Sequence, residues 1–243
     1  MSTTDPAASA LDGLVNLRDL GGLPAAGGAV TRSGVLYRSD APYEGDRDPS
    51  AVDAWPPELV IDLRDRLELN GRPHPLEQPC AVQHMPLLEG IRHKQDDSDG
   101  QLTGLYQLIL DWGHEWLLKL FRAAVRSEGP VLLHCAAGKD RTGVSVALLL
   151  SAAGVDRDAI VEDYLRTDQN MFRVLQRLNV APQLPPGITE EEAKDLVAAT
   201  PSSAIESVVR RFDEYSDGAA GWLGERGVTD EELDLWRQRL LKR

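Results

Sequence analysis

His134-Cys135-Ala136-Ala137-Gly138-Lys139-Asp140-Arg141-Thr142-Gly143 lies between two apolar runs, Val131-Leu132-Leu133 and Val144 to Leu150. A short apolar run bounded by turn residues reads as a buried strand, and the second run is long enough for a helix, so the stretch is a strand-loop-helix turn. Such a turn holds an oxyanion without any side chain, because successive backbone N–H groups curl around one point and the helix N-terminus adds its positive dipole end. Cys135 opens the loop and Arg141 closes it. A thiol facing those amides, with Lys139 and Arg141 beside it, is favoured as the thiolate. Nucleophile and anion cradle therefore coincide. Cys135 can attack a phosphorus atom, Arg141 can fork onto two of its oxygens, and the amides of Ala136, Ala137, Gly138, Lys139, Asp140 and Arg141 can hold the rest. Thr142 can hydrogen-bond the Cys135 sulfur and steady it as a leaving thiolate.

A cysteine buried only for packing is the common case. Three consecutive charges, Lys139 to Arg141, argue against it here, because they would be costly between strand and helix unless solvated or bound. Cys80, between Pro79 and Ala81 at a loop-to-strand step, reads as structural. His134 reads as a hydrogen-bonding brace behind the loop rather than a base. The five histidines show no metal-ligand spacing with carboxylates or cysteines, so neither a metal nor another cofactor is expected.

The 243 residues, 42% of them hydrophobic, can bury a full core and fit one large domain over residues 13–243, after a flexible N-terminus at 1–12. A formal net charge of -13 argues against nucleic acid or an anionic membrane surface as a general partner, so any phosphate must be captured locally. Two cysteines imply no disulfide framework and point to a reducing, cytoplasmic setting. The small, polar, acidic N-terminus has no signal-peptide pattern, although export by a signal-less route stays open, and no apolar run approaches membrane-spanning length.

Four strands are expected: Val35 to Arg38, Leu59 to Leu63, Ala81 to Met85, and the run before Cys135. Leu14 to Gly22 reads as turns, Arg72 to Pro79 as a loop, and Glu89 to Gly100 as a polar acidic loop. Apolar residues from Leu105 to Ala124 recur at helical spacing, with Gly113 a break between two helices. The spacing predicts further helices over about 142–153, capped by Gly154, and over about 156–166 behind Asp156. Capping patterns mark three later helix starts, at Thr189 with Glu192, Thr200 before Pro201, and Thr229 with Glu232. The order implies an α/β fold: a central, mainly parallel sheet of four to five strands flanked by helices, with a helical C-terminal part. Residues from about 168 to 200 form a candidate helical lid, since Met171, Phe172, Val174 and Leu175 must cover something apolar.

The segment Cys135-x5-Arg141-Thr142, preceded by His134, resembles the phosphate-binding signature of cysteine-dependent protein tyrosine phosphatases. Its Gly138-Lys139-Asp140-Arg141-Thr142 version is similar to bacterial tyrosine and lipid phosphatases. Asn16 to Gly22, Leu36 to Ser39, Ile61 to Arg64, Gly221 to Leu223 and Val228 to Leu233 match further blocks, so the resemblance spans nearly the whole chain. It implies a phosphomonoester hydrolase working through a phosphocysteine intermediate on phosphotyrosine proteins, with phosphoserine or phosphothreonine and phosphoinositides as further substrates. Lys139, a second flexible cation in the loop, suits a substrate bearing more than one phosphate.

Two other classes place an anion loop behind a cysteine or use one without turnover: a rhodanese-like sulfurtransferase and a non-catalytic phosphate-binding module. The resemblance implies a shorter loop for the first and loss of the thiol or arginine for the second, and this chain has five residues before Arg141 and retains both groups. A tryptophan-proline-aspartate motif is missing, which leaves the general acid to be assigned. Asp140, inside the loop, is the first choice; Asp97 and Asp99, in the acidic loop upstream, are the rivals. The oligomeric state is not legible.

Overall fold

The computed structural model describes residues 11–89, 102–179 and 201–243. Short strands β1 (Arg18–Asp19), β2 (Pro24–Ala25) and β3 (Ala29–Thr31) precede β4 (Leu36–Ser39) and β5 (Leu59–Asp62). A one-turn helix, α1 (Arg66–Leu69), leads to β6 (Ala81–His84), and α2 (Leu102–Trp112) and α3 (His114–Arg126) lead to β7 (Val131–His134). There follow α4 (Asp140–Ala153), α5 (Arg157–Leu165), α6 (Asp168–Arg177), α7 (Ser203–Asp213), α8 (Gly218–Gly224), α9 (Asp230–Leu240) and β8 (Leu241–Lys242).

The central sheet has the order β1-β4-β7-β5-β6, parallel throughout except for β1, which runs antiparallel to β4. This is the mainly parallel, helix-flanked sheet the sequence predicts. Strand β7 sits in the middle with all four residues buried, as an unbroken apolar run requires. Val131 and Leu133 enter the large core with the helices, whereas Leu132 joins Tyr37, Val60 and Cys80 on the opposite face. Alternation along one strand thus feeds two apolar layers. Helix α4 is buried on almost every side, and Trp236 of α9 closes over it by donating its indole N–H to Leu149 O at 2.8 Å.

Register places the site. Ser39, His134, Asp62 and His84 pair across the sheet at one level, so β4, β7, β5 and β6 all end together. The residues that follow them, including Asp40, Cys135 and Leu63 to Asp65, share the carboxyl edge of the sheet, where open parallel sheets bind ligands.

Gly113 separates α2 from α3 as expected, and a Cβ there would lie 2.6 Å from Ile109 O. Gly154 ends α4 in the left-handed region at φ 84°, and Thr229 and Glu232 form a reciprocal capping box. Asp156 precedes α5 as predicted, but its side chain makes no capping bond. Helix α7 begins at Ser203, slightly later than the Thr200-Pro201 pattern suggests. Thr200 itself and the Thr189-Glu192 pattern lie outside the described residues. A second sheet, β2-β3-β8, ties the C-terminus to an early hairpin; strands of two or three residues leave no periodicity to read. Among the described residues, no helix is long and apolar enough to cross a membrane.

Candidate active site

Cys135 is buried at the end of β7, and the backbone of the loop behind it is anchored through its carbonyls. Cys135 O lies 3.1 Å from His134 Nδ1, and Ala136 O accepts Ala41 N–H at 3.0 Å. Ala137 O accepts Asn16 Nδ2 at 3.1 Å, Gly138 O accepts an Arg38 Nη2 hydrogen at 2.8 Å, and Lys139 O accepts Gly143 N–H at 2.6 Å. In contrast, the six N–H groups from Ala136 to Arg141 donate to no described residue. With every carbonyl from Cys135 to Lys139 held by the fold, the amides are left for a ligand, and unpaired backbone donors are costly unless something accepts from them. Gly138 allows the turn: its φ is +71°, and a Cβ would lie 2.2 Å from Ser39 O.

The anchors are themselves fixed. Asp163 on α5 pairs with Arg18 Nε and Arg38 Nη1, each at 2.6 Å, and Arg18 also donates to Asn16 Oδ1 at 2.7 Å. Burial works against the Asp163 charge, but Arg38 and Arg18 outweigh it and hold the carboxyl below its usual range. The matched blocks at Asn16 to Gly22 and Leu36 to Ser39 therefore act as loop supports.

Arg141 is gripped by a residue the sequence reading passed over. Glu68 of α1 accepts from Nη1 at 2.5 Å and from Nη2 at 2.8 Å, and Leu63 O lies 3.3 Å from Nη1. A guanidinium has five N–H donors. Three are used, leaving Nε–H and the outer Nη2–H, which lie side by side and match two phosphate oxygens. Burial opposes the Arg141 charge, and Glu68, followed by Cys135, more than restores it. Glu68 is also the third helical residue of an Asp65 capping box.

Asp62, His74 and His134 bring three potential ligand atoms within 4.8 Å of one another, a grouping their spacing in sequence hides. Hydrogen bonds decide its use. Cys135 O only accepts, so His134 carries its proton on Nδ1; Leu76 N–H donates to His74 Nδ1 at 3.1 Å, so the His74 proton is on Nε2 and points at the bare His134 Nε2, 3.0 Å away. A metal would need both Nε2 lone pairs, and the displaced His74 proton would then face the Leu76 N–H. The donor set does not fit an ion. His134 Nδ1 holds Cys135 O, and His74 holds His134 from behind.

Both rings are held neutral. Burial lowers the His134 pKa, and burial followed by the neighbouring His134 lowers that of His74 to about 4 from 6.5. Below pH 6.5 the unfolded chain takes up a proton that folded His74 does not, so stability should fall as pH drops from 6.5 towards about 4. Urea unfolding midpoints over that range test this: His74→Gln is expected to flatten the slope, and an unchanged slope would contradict it.

Asp140 begins α4 half-buried, its Oδ1 accepting the Tyr106 hydroxyl at 2.7 Å. Lys139 is half-buried and has no ion pair to a described residue. Thr142 differs from expectation: it is fully buried in α4 and its hydroxyl finds no partner among the described residues, so the bond to the Cys135 sulfur is not formed. Asp97 and Asp99 lie outside the described residues, as does 180–200 of the candidate lid. Within the described part, α6 places Met171 and Val174 against Val15 and, at the loop, Ala137. Its Arg177 reaches Asp40 at 2.9 Å, Asp46 at 2.9 Å and Leu11 O at 2.9 Å, fastening that helix beside the site.

A family described as the tyrosine phosphatase family matches residues 9–242. The chain is 30% identical over 208 residues to a protein of Cupriavidus necator named as a tyrosine-protein phosphatase, covering 78% of this chain and 76% of that one. It is 35% identical over 121 residues to the triple specificity protein phosphatase PtpB of Mycobacterium tuberculosis, covering 46% and 44% of the two chains. To the tyrosine-protein phosphatase of Nostoc commune it is 54% identical over 143 residues, 56% of this chain and 49% of the other. Cys135 opens a loop whose amides are unpaired among the described residues and whose closing arginine is half free, as suits a phosphatase, and with a match from residue 9 to residue 242 the chain belongs to the tyrosine phosphatase family of enzymes.

Proposed function

We propose that this chain hydrolyses phosphotyrosine in proteins, with phosphoserine, phosphothreonine and phosphoinositides as secondary substrates. The observation that carries this reading is the loop that Cys135 opens: its carbonyls are tied to the fold, and six amides and the Nε/Nη2 edge of Arg141 are left without a partner among the described residues. In the first step the Cys135 sulfur attacks phosphorus, the bond to the tyrosine oxygen breaks, and Asp140 gives that oxygen its proton. In the second, Asp140 takes a proton from water as the water oxygen attacks phosphorus. The phosphorus–sulfur bond breaks, inorganic phosphate leaves, and the thiolate returns. Amides and Arg141 stabilise the equatorial oxygens in both steps.

The phosphotyrosine preference is supported by the names of the relatives, and a broader range by the triple specificity of PtpB and by the free charge of Lys139. Turnover on a phosphotyrosine peptide, a phosphoserine peptide and phosphoinositide micelles tests the order. Preference for the micelles would replace the first reading with a lipid phosphatase.

Asp140→Asn is expected to lower kcat by about 10²-fold on esters with poor leaving groups, much less on p-nitrophenyl phosphate, and to flatten the pH profile. If Asp99→Asn shows that pattern while Asp140→Asn mainly weakens phosphate binding, the proton donor is Asp99.

A further inference from the structure

Tyr106, from α2, is fully buried, and its hydroxyl oxygen lies 2.7 Å from Asp140 Oδ1 and 2.6 Å from the hydroxyl of Tyr164 on α5. A phenol has one proton and a carboxylate only accepts, so the Tyr106 proton goes to Asp140 and the Tyr164 proton goes to the Tyr106 oxygen. The result is a directed chain, Tyr164 to Tyr106 to Asp140. Burial, with the Asp140 charge next, pushes the Tyr106 pKa far up, so its hydroxyl remains a donor. The two rings meet edge to face at 6.3 Å and 89°. Gly143, in the first turn of α4, makes room for them, since a Cβ there would lie 2.9 Å from the Tyr164 ring.

Buried hydroxyls are costly unless they are used, and phenylalanine would fill the same space. Here they fix one oxygen of the carboxylate beside the nucleophile, while Asp140 Oδ2 makes no hydrogen bond to a described residue. When Asp140 is protonated, its proton is favoured on Oδ2, because the carbonyl oxygen of a neutral carboxyl is the better acceptor and the Tyr106 hydroxyl already occupies Oδ1. We propose that Tyr106 is a positioning residue: it commits Oδ1 of Asp140, so that the transferable proton is carried on the other oxygen and presented to the leaving group. This rests on the reading of Asp140 as the proton donor.

The test compares Tyr106→Phe, Tyr164→Phe and Asp140→Asn on phenyl phosphate, a poor leaving group, and p-nitrophenyl phosphate, a good one. Tyr106→Phe should lower kcat on phenyl phosphate by about tenfold, leave KM within about twofold, and barely change p-nitrophenyl phosphate turnover. Tyr164→Phe disturbs the same buried pair but keeps the bond to Asp140, so its kcat on phenyl phosphate should stay within about threefold of wild type. Added to Asp140→Asn, Tyr106→Phe should cost nothing more. An equal loss on both esters, or equal effects of Tyr106→Phe and Tyr164→Phe, would show a packing role and overturn the proposal. If Asp140→Asn is leaving-group selective and Tyr106→Phe is silent, only the role of Tyr106 fails. Should Asp140→Asn itself show no selectivity, the assignment of the proton donor fails, and the proposal with it.

Discussion

Cys135→Ser should lose phosphate release from p-nitrophenyl phosphate by about 10⁴-fold or more, the scale of removing a catalytic nucleophile. A serine hydroxyl is a much weaker nucleophile than a cysteine sulfur, and its oxygen is a poorer leaving group from the phosphorylated intermediate. Binding should survive. The six amides, the Arg141 fork and the carbonyl anchors from His134, Ala41, Asn16 and Arg38 do not involve the sulfur. The variant should therefore bind inorganic phosphate at near wild-type affinity while turning nothing over. Acid-quenched wild type should carry a phosphoryl group on Cys135 during turnover. An equally active Cys135→Ser protein would remove the mechanism.

Gly138→Ala is expected to cost about 10³-fold in kcat/KM, with phosphate affinity falling alongside it. Alanine at φ +71° is strained, and its Cβ would be placed 2.2 Å from Ser39 O, 2.4 Å from Ser39 C and 2.7 Å from Asp40 N. These are backbone atoms of the β4 exit and cannot swing away. Relief requires moving the loop by ångströms, which breaks the bonds from Arg38 and Asn16 to Gly138 O and turns the amides away from one centre. A displacement of about 1 Å alone costs about 10²-fold. Because the clash is confined to the loop and the β4 exit, the unfolding midpoint should fall far less than activity does. Near-normal kinetics in Gly138→Ala would mean that the loop is not held as described.

The strand-loop-helix turn was legible because it is local: apolar runs, a glycine and charges at fixed spacing place Cys135 and Arg141 with no knowledge of the rest. Gly113, Gly154 and the Thr229-Glu232 box were legible for the same reason. The supports were not. Glu68 reaches Arg141 across 73 positions, Arg38 reaches Gly138 across 100, and Asn16 reaches Ala137 across 121. Side chains that meet through the order of strands in a sheet leave no periodic trace. Asn16 to Gly22 and Leu36 to Ser39 could be matched to a family while their task, holding carbonyls so that amides face inward, stayed invisible. Tyr106 hid differently, because in an amphipathic helix its ring reads as core. Thr142 shows the reverse error: its spacing from Cys135 suggested a bond to sulfur, but as the third residue of α4 it is enclosed in the core.

The claim that the loop is a cradle made of its own amides is tested most directly by amide NMR of the Cys135→Ser protein titrated with inorganic phosphate. The expected result is that the backbone N–H signals of Ala136 to Arg141 move together, with one affinity, as they gain an acceptor, along with the Arg141 Nε–H. Phosphate binding that leaves those amides unmoved and shifts signals elsewhere would contradict it.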